Sequence, residues 1–409
     1  MQPNKNWMTL VLTMIVGLSM ATTSYGMPNF ARRYNMSCAS CHNGIPRLNE
    51  FGFQFRAAGF RLPDEIGKGE SSTNAGDYIA ARTQTRFDYK TSDVPTASGT
   101  TSSSNTQLTF HEVTFYPITG AFGKNYASLV EMSFLPDEPA EIENAYVRAN
   151  YGDGNKFWSV RAGIFHPFEG YGASDRPLGL SRPLIQSAAA NNGQSTLFKP
   201  WGFDQAGLEV GYTMDKTSFR ATVFNGLIAP NSTTAEPAQG GSLSKSSTQP
   251  SRDNKDVQLT ATHMLTDDGG GVTGYAYLGN VDLPVAGSLV KNSFQRYALY
   301  GSYPVQKFLF LGGYQTGADN LGTSFNSNGY FGEVNYNLSE PMWVGVRYDG
   351  FDPSTSTGQN EVSALTAVAN FYADSGLQFI GEFQNKATKK GTLGTQTDNS
   401  VQVRMIFIF

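Results

Sequence analysis

Two cysteines stand three positions apart with a histidine directly after the second, Cys38-Ala39-Ser40-Cys41-His42, and the chain contains no other cysteine. Thiols at that spacing can form thioether bonds to the two vinyl groups of one haem, and the adjacent His42 is then held under the iron as an axial ligand. Two other chemistries compete for such a pair. A redox dithiol of the thioredoxin type needs a βαβ context, which the sequence lacks. A zinc site needs more soft ligands than a chain with four His supplies. The spacing therefore assigns one covalently bound haem c to Cys38, Cys41 and His42, with His42 as the metal ligand. No Met lies between His42 and Met132. The sixth iron position falls to Met27, Met36, His111, His166 or a new N-terminal amine. No Ser/His/Asp arrangement and no phosphate loop is present, so no acid–base or nucleophilic residue is assigned.

Such a group must be carried out of the cytoplasm, and the N-terminus is suited to that. Lys5 is followed by an apolar run from Trp7 to about Ala21, and Ser24 and Gly26 are the small residues a signal peptidase reads. Residues 1–26 read as a signal peptide, because the run is shorter than the ~20 apolar residues of a spanning helix. Residues 27–75 read as a small haem module. Pro46 is suited to open a helix, Leu48, Phe51 and Phe55 recur at helical spacing, and Gly59 is suited to close it.

The remainder, 76–409, has the pattern of a sixteen-stranded transmembrane β-barrel. Charged residues are only 16% of the chain, with 44 Gly, 28 Phe and 20 Tyr. The net charge of -4 gives no footing for nucleic acid. No later segment is long and apolar enough for a helix through a membrane, which leaves a barrel as the spanning form. Period-two alternation marks strands near 77–89, 106–116, 126–134, 142–151, 156–165, 204–213, 217–225, 256–265, 271–281, 294–303, 307–316, 328–337, 341–350, 361–372, 376–385 and 399–409. Their connections alternate in length. Short ones fall near Pro117 to Lys124, Gly152-Asp153-Gly154, Asp215, Asp267-Asp268-Gly269, Pro304-Val305, Ser339-Glu340 and Asp374. Long ones include 90–105, 166–203 and 226–255. Short periplasmic turns and long external loops are the habit of outer-membrane barrels.

The two faces of each strand agree with that assignment. Ile79, Ala81, Thr83, Thr85, Phe87 and Tyr89 alternate with Arg82, Gln84, Arg86 and Asp88; Met342, Val344, Val346 and Tyr348 alternate with Trp343, Arg347 and Asp349. Apolar outside and charged inside is a barrel in lipid. Arg82, Arg86, Arg148, Arg161, Arg220, Arg296, Arg347 and Arg404 then face the lumen, where Asp88, Glu209, Glu333, Asp349 and Glu382 can pair with them. The last strand ends on Phe409, as the assembly signal of such barrels does. Ile406 and Ile408 point inward, either against the haem module or as ordinary rim packing.

The stretch from Met27-Pro28-Asn29-Phe30-Ala31-Arg32 through Cys38-Ala39-Ser40-Cys41-His42 to Pro46-Arg47-Leu48-Asn49-Glu50-Phe51-Gly52-Phe53-Gln54-Phe55-Arg56 and Gly59-Phe60 resembles the head of a known family. This is the family of outer-membrane monohaem c-type cytochrome–porin fusions of iron-oxidising bacteria. The resemblance is specific from about Pro28 to Leu62. Over the barrel it is one of architecture and length, and Gly163-Ile164-Phe165-His166-Pro167-Phe168 is similar to phosphate-selective porins. The resemblance implies oxidation of dissolved Fe(II) at the cell surface, with electrons passed inward to a periplasmic carrier such as a c-type cytochrome. It also implies haem attachment at Cys38 and Cys41 and an axial role for His42. Other readings of the same residues are a haem-plugged porin, an outward conduit to external acceptors, and a soluble periplasmic haem enzyme with β-modules.

Overall fold

The computed structural model of the protein describes residues 27–42, 47–136, 139–167, 178–187, 190–191, 195–196, 204–226, 255–285, 288–339, 341–355, 360–374 and 376–409. The expected signal peptide and Pro46 lie outside the described residues. The strands are β1 (Ala80–Thr96), β2 (Gly99–Phe122), β3 (Tyr126–Phe134), β4 (Glu141–Asp153), β5 (Lys156–Phe165), β6 (Ala190–Asn191), β7 (Ser195–Thr196), β8 (Gln205–Met214), β9 (Thr217–Phe224), β10 (Asp256–Met264), β11 (Gly271–Val285), β12 (Ser288–Val305), β13 (Phe308–Asn320), β14 (Ser324–Ser339), β15 (Met342–Asp352), β16 (Val362–Asp374), β17 (Leu377–Lys389) and β18 (Thr395–Ile408). All but β6 and β7 form one closed antiparallel barrel of sixteen strands, with β5 beside β8 and β1 beside β18. Closure leaves no sheet edge within the lipid, so every strand finds its backbone partners in a neighbour.

Every expected strand is present, and β3 and β5 have the expected limits. The clearest departure is at 90–105, read as a long Ser/Thr-rich loop. Those residues continue β1 and β2 as a ladder, with Thr91 opposite Ser104 and Thr96 opposite Gly99. Above the bilayer no lipid demands an apolar face, so alternation fades while Thr still favours extended backbone. On the same side β11 and β12 are separated only by 286–287, and β13 and β14 by 321–323. The outer asymmetry therefore lies partly in taller strands rather than longer loops. Pro304-Val305 ends β12 instead of turning; the reversal comes at the next residues, where Gln306 takes φ 54°.

Phe87, Tyr89, Val346, Tyr348, Val403, Met405 and Phe407 are exposed on the outer wall, whereas Gln84, Asp88, Arg347, Asp349 and Arg404 are buried inside. Tyr126, Tyr151, Trp158, Tyr303, Phe308 and Phe409 are exposed near the short-turn end, as an interfacial aromatic girdle is. The protein is thus a membrane-spanning barrel of the outer-membrane type, and the short turns mark its periplasmic end.

Inside, charges are paired much as the strand faces predict. Arg161 Nη2 lies 2.7 Å from Glu209 Oε2, Arg347 Nε 2.8 Å from Asp349 Oδ2, and Arg86 pairs with Asp88. Arg296 instead finds Asp319 at 3.0 Å, and Arg82 finds Glu112 at 3.0 Å. Glu382 differs from expectation, because its carboxylate accepts the Leu180 amide at 2.7 Å and the Ser181 amide at 3.1 Å. Those amides belong to a segment, Leu178–Ser187, that enters the lumen from the β5–β8 connection. It carries the short helix Leu184–Ser187. Arg347 donates to the Ser181 carbonyl at 3.1 Å and Asp349 accepts the Leu184 amide at 3.0 Å. Ile406 and Ile408 pack with Leu180, Val368 and Ile380. Their partners are this inward segment and the neighbouring strands β16 and β17, the rim-packing alternative, rather than the N-terminal module.

Candidate functional site

The N-terminal module is built on two helices, α1 (Pro28–Tyr34) and α2 (Glu50–Ala57), with the 3-10 turn Cys38–Ser40 between them. Pro at the first position suits α1, because its missing N–H is not needed there. α2 starts at Glu50, later than Pro46, because the Asn49 side chain caps it by accepting the Gly52 amide at 2.8 Å. Leu48 is therefore buried ahead of the helix, in an extended bridge opposite His42. The far end closes at Gly59 as expected. The Phe60 amide returns to the Phe55 carbonyl at 2.9 Å and the Gly59 amide to Arg56 at 3.1 Å, a Schellman closure with Gly59 at φ 77°.

Cys38, Cys41 and His42 are brought onto one tight turn. The Cys41 and His42 amides both donate to the Cys38 carbonyl, at 3.1 and 3.0 Å. His42 Nδ1 is 3.1 Å from the Arg47 carbonyl. A carbonyl can only accept, so Nδ1 carries the proton there and Nε2 is the nitrogen with ligand character. That is the tautomer a haem iron requires. Helix α2 is locked to the turn by Asn49, whose amide donates to the Cys41 carbonyl at 2.9 Å and whose Nδ2 donates to the Ser40 carbonyl at 3.0 Å. A Cβ on Gly52 would lie 2.2 Å from the Cys41 carbonyl oxygen, so only glycine permits this approach. Burial, with Cys38 adding to it, pushes the Cys41 thiol up to about 11. A reactive dithiol needs a depressed thiol pKa, so this environment does not suit redox exchange. Cys38 packs at the margin of an apolar cluster that includes Phe30, Tyr34, Phe55 and Phe60. The Phe30 ring stacks on Phe60 with centroids 4.9 Å apart and meets Phe55 edge-on at 5.4 Å. The residues present thus fit a covalently held haem at this turn.

The module is stitched into the periplasmic mouth by side chains that reach backbone carbonyls. Arg32 donates to Gly76 and Ile79, Arg33 to Ala121 at 2.7 Å, and Arg61 to Gly123, Lys124 and Tyr126. From the wall, Arg148 donates to the Arg56 carbonyl and Asn150 to Ala57, each at 2.9 Å. Buried Asn29 donates to Thr119 at 3.0 Å. Hydrogen bonds from charged donors contribute about 1.5–3 kcal/mol each where they are buried. The module is therefore a fixed plug. Strand pattern gives no sign of these contacts; Asn49 and Gly52 have only a weak local signal, a capping Asn three positions before a Gly in the first helical turn.

Across the mouth the plug is latched by charge. Lys216 lies 2.9 Å from Glu50 Oε2 and also pairs with Asp267, whose carbonyl accepts the Glu50 amide at 3.1 Å. Hydrogen bonding to Asp267 raises the Lys216 pKa, and hydrogen bonding to Lys216 lowers that of Asp267. The lysine's contribution is full below its unfolded value and is lost as pH rises through the raised one. The aspartate's is full above its unfolded value and is lost as pH falls through the lowered one. The latch should hold across neutral pH and loosen below about pH 4, the ordinary carboxylate range. The measurement is hydrogen-exchange protection of the Glu50 amide, corrected for intrinsic rates; equal protection at pH 7 and pH 3 would refute the latch.

The proposed sixth ligands separate into two groups. Met27 precedes α1 and Met36 leads into the Cys38 turn, both within the plug. His111 lies near the middle of β2 and His166 just beyond the outer end of β5. At about 3.3 Å per residue, each is roughly 36 Å along its strand from the periplasmic turn at the strand's other end.

No family model matches the chain, and no curated protein matches it. Solved structures do resemble it. An anion-selective porin from Comamonas acidovorans is 13% identical, with a TM-score of 0.53 over 81% of this chain and 98% of that one. The outer membrane channel DcaP of Acinetobacter baumannii is 10% identical, with a TM-score of 0.54 over 84% of this chain and 100% of that one. OprB of Pseudomonas putida is 10% identical, with a TM-score of 0.51 over 81% of this chain and 94% of that one. At such identities the likeness is one of fold: the chain is a sixteen-stranded, porin-like outer-membrane barrel.

Proposed function

We propose that the protein is an outer-membrane cytochrome that takes electrons from dissolved Fe(II) at the outer face and passes them, through one haem c, to a periplasmic carrier. The observation that carries the reading is the Cys38–His42 turn itself, with the His42 Nδ1 proton directed to the Arg47 carbonyl, on a plug fixed in the periplasmic mouth. When bound, haem supplies a one-electron couple. The residues do the rest. Cys38 and Cys41 would anchor the group, His42 would offer Nε2, and the aromatic cluster of Phe30, Tyr34, Phe55 and Phe60 would give the group an apolar neighbour. The wall and the plug keep lipid away. Outer-sphere electron transfer asks for approach and driving force, and no acid–base pair. Fe(II) as donor rests on the resemblance of residues 28–62 to the iron-oxidising fusions.

A second reading is a haem-plugged porin or an outward conduit, and the porin fold favours it. Against free diffusion stand two obstructions: the plug meets the β2–β3, β4–β5, β8–β9 and β10–β11 turns, while Leu178–Ser187 lines the wall at β14 to β17. Anaerobic mixing of the oxidised protein with Fe(II), followed by haem absorbance, separates the readings. Reduction within the mixing experiment is expected. A haem that stays oxidised in large Fe(II) excess, yet is reduced by a strong reductant, excludes Fe(II) as donor. The channel or outward reading would then stand, and conductance in planar bilayers would decide between those two.

A further inference from the structure

Water reaches the inward charges of the barrel unevenly. The side chains of Arg161 on β5, Arg296 on β12 and Arg347 on β15 keep 1, 0 and 2% of their surface. On β1, Arg82 and Arg86 keep 29 and 24%, and Glu112 on β2 keeps 12%. Glu131 of β3 and Glu143 and Asn144 of β4 are half-buried too. The two obstructions account for much of the contrast. Leu178–Ser187 is held against β14 to β17, and the plug lies below, at the periplasmic turns. The wall is also low in this sector: β3 ends at Phe134, and β4 begins at Glu141, which is exposed at the outer rim.

The ladder is irregular at the same place. On β2, His111 is an extra residue against β1, and Tyr116 and Pro117 together oppose Glu131; on β4, Glu143 is an extra residue against β3. The register shifts at Asn337 to Ser339 and at Tyr372 to Asp374 instead adjoin turns. Neighbours on a regular strand point to opposite faces, and a bulge re-aims one of them. Glu143 and Asn144 accordingly both meet lumenal partners. Glu143 accepts from the Ser133 hydroxyl, and Asn144 Nδ2 donates to Glu131 at 2.8 Å. Glu131 also accepts from the Tyr116 hydroxyl at 2.7 Å. Arg82 is offset by Glu112 and Arg86 by Asp88, whereas the hydrogen-bond donors to Glu131 and Glu143 are neutral. The sector therefore carries an excess of negative charge.

We propose that the β1–β4 sector is an aqueous inlet, open at the outer rim and closed below by the plug, which admits small hydrated cations in preference to anions. Glu131 and Glu143 are its selecting residues. The inlet does not depend on the haem; its use by the donor rests on the Fe(II) reading above. A cation in the inlet lowers its energy beside the two carboxylates and an anion raises it, and low local dielectric strengthens both effects.

The test is thiol labelling of intact cells from outside with two membrane-impermeant methanethiosulfonates, one bearing a trimethylammonium group and one a sulfonate. A cysteine thiolate attacks the reagent sulfur, the mixed disulfide forms and methanesulfinate leaves. The probes are Asn144→Cys and, independently, Tyr116→Cys; Ser327→Cys, buried on β14, is the covered control. The parent protein, with Cys38 and Cys41, sets the background, and heat-modifiable migration checks that each barrel has assembled. Labelling is expected at 144 and 116 and not at 327. The cationic reagent should be the faster, after correction for its rate with a free thiol. Adding Glu131→Gln and Glu143→Gln to Asn144→Cys should lower the cation-to-anion rate ratio by about three- to tenfold at low salt. Background labelling at both 144 and 116 in assembled barrels, or equal labelling at 327, overturns the inlet. An unmoved ratio overturns the selecting role, and if the double substitution does not assemble, Glu143→Gln alone decides in the same way. The labelling needs no haem, so a parent protein lacking covalent haem would overturn the Fe(II) reading and leave this result standing.

Discussion

Alanine at both Cys38 and Cys41 is expected to abolish covalent haem and to leave the barrel inserted in the membrane. Each thiol adds across one vinyl group, the sulfur bonding to carbon and the proton going to the neighbouring carbon, so without the sulfurs no covalent link can form. The fold does not depend on them. Neither cysteine lies in a strand, and the bonds that shape the turn run through the Cys38 and Cys41 carbonyls, which alanine retains. The plug stays anchored through Asn29, Arg32, Arg33 and Arg61. Haem staining after denaturing electrophoresis reads the first effect, and heat-modifiable migration of the outer-membrane fraction reads the second. Full staining in the double variant would refute the attachment site; loss of the inserted barrel would show that the turn has a structural role not visible in its contacts.

Gly52→Val should be nearly as damaging to haem retention, though residue 52 holds no ligand atom. The side chain would enter 2.2 Å from the Cys41 carbonyl oxygen and 2.9 Å from Leu48 Cδ2. Backbone cannot yield there as a flexible side chain could, so α2 must move off the turn. Overpacking of this kind costs about 1–3 kcal/mol, and every 1.4 kcal/mol is roughly tenfold in the population of the docked helix. The Asn49 bonds to Ser40 and Cys41, and with them the approach of Leu48 to His42, would be lost first. Haem content per barrel and protease sensitivity near Phe51 are the readouts. Gly52→Ala should give a weaker form of the same defect. Haem content equal to the parent protein in the Val variant would show that α2 is not what closes the site.

The periodic features were legible in the chain because they are local. Alternation of apolar and polar residues reports the two faces of a strand within a few positions. All sixteen barrel strands, their lipid and lumen faces and most of the turns were therefore readable from residues such as Phe87 against Asp88 and Val346 against Arg347. Where the membrane no longer enforces alternation, as at 90–105, the signal lapsed although the ladder continued. The spacing of Cys38, Cys41 and His42 was equally local, a matter of two thiols and one imidazole on a single turn. What the turn rests on was not. Arg61 with the 123–126 carbonyls, Glu382 with the Leu180 amide and Arg296 with Asp319 are partners fixed by closure of the ring and by the path of the chain through the lumen. An arginine on an inward face has many carboxylates and carbonyls within its reach in principle. Sequence established that the lumen is charged and that a haem motif precedes the barrel; only the closed tertiary structure decided which groups meet, because pairings across tens to hundreds of residues carry no period for a sequence to display.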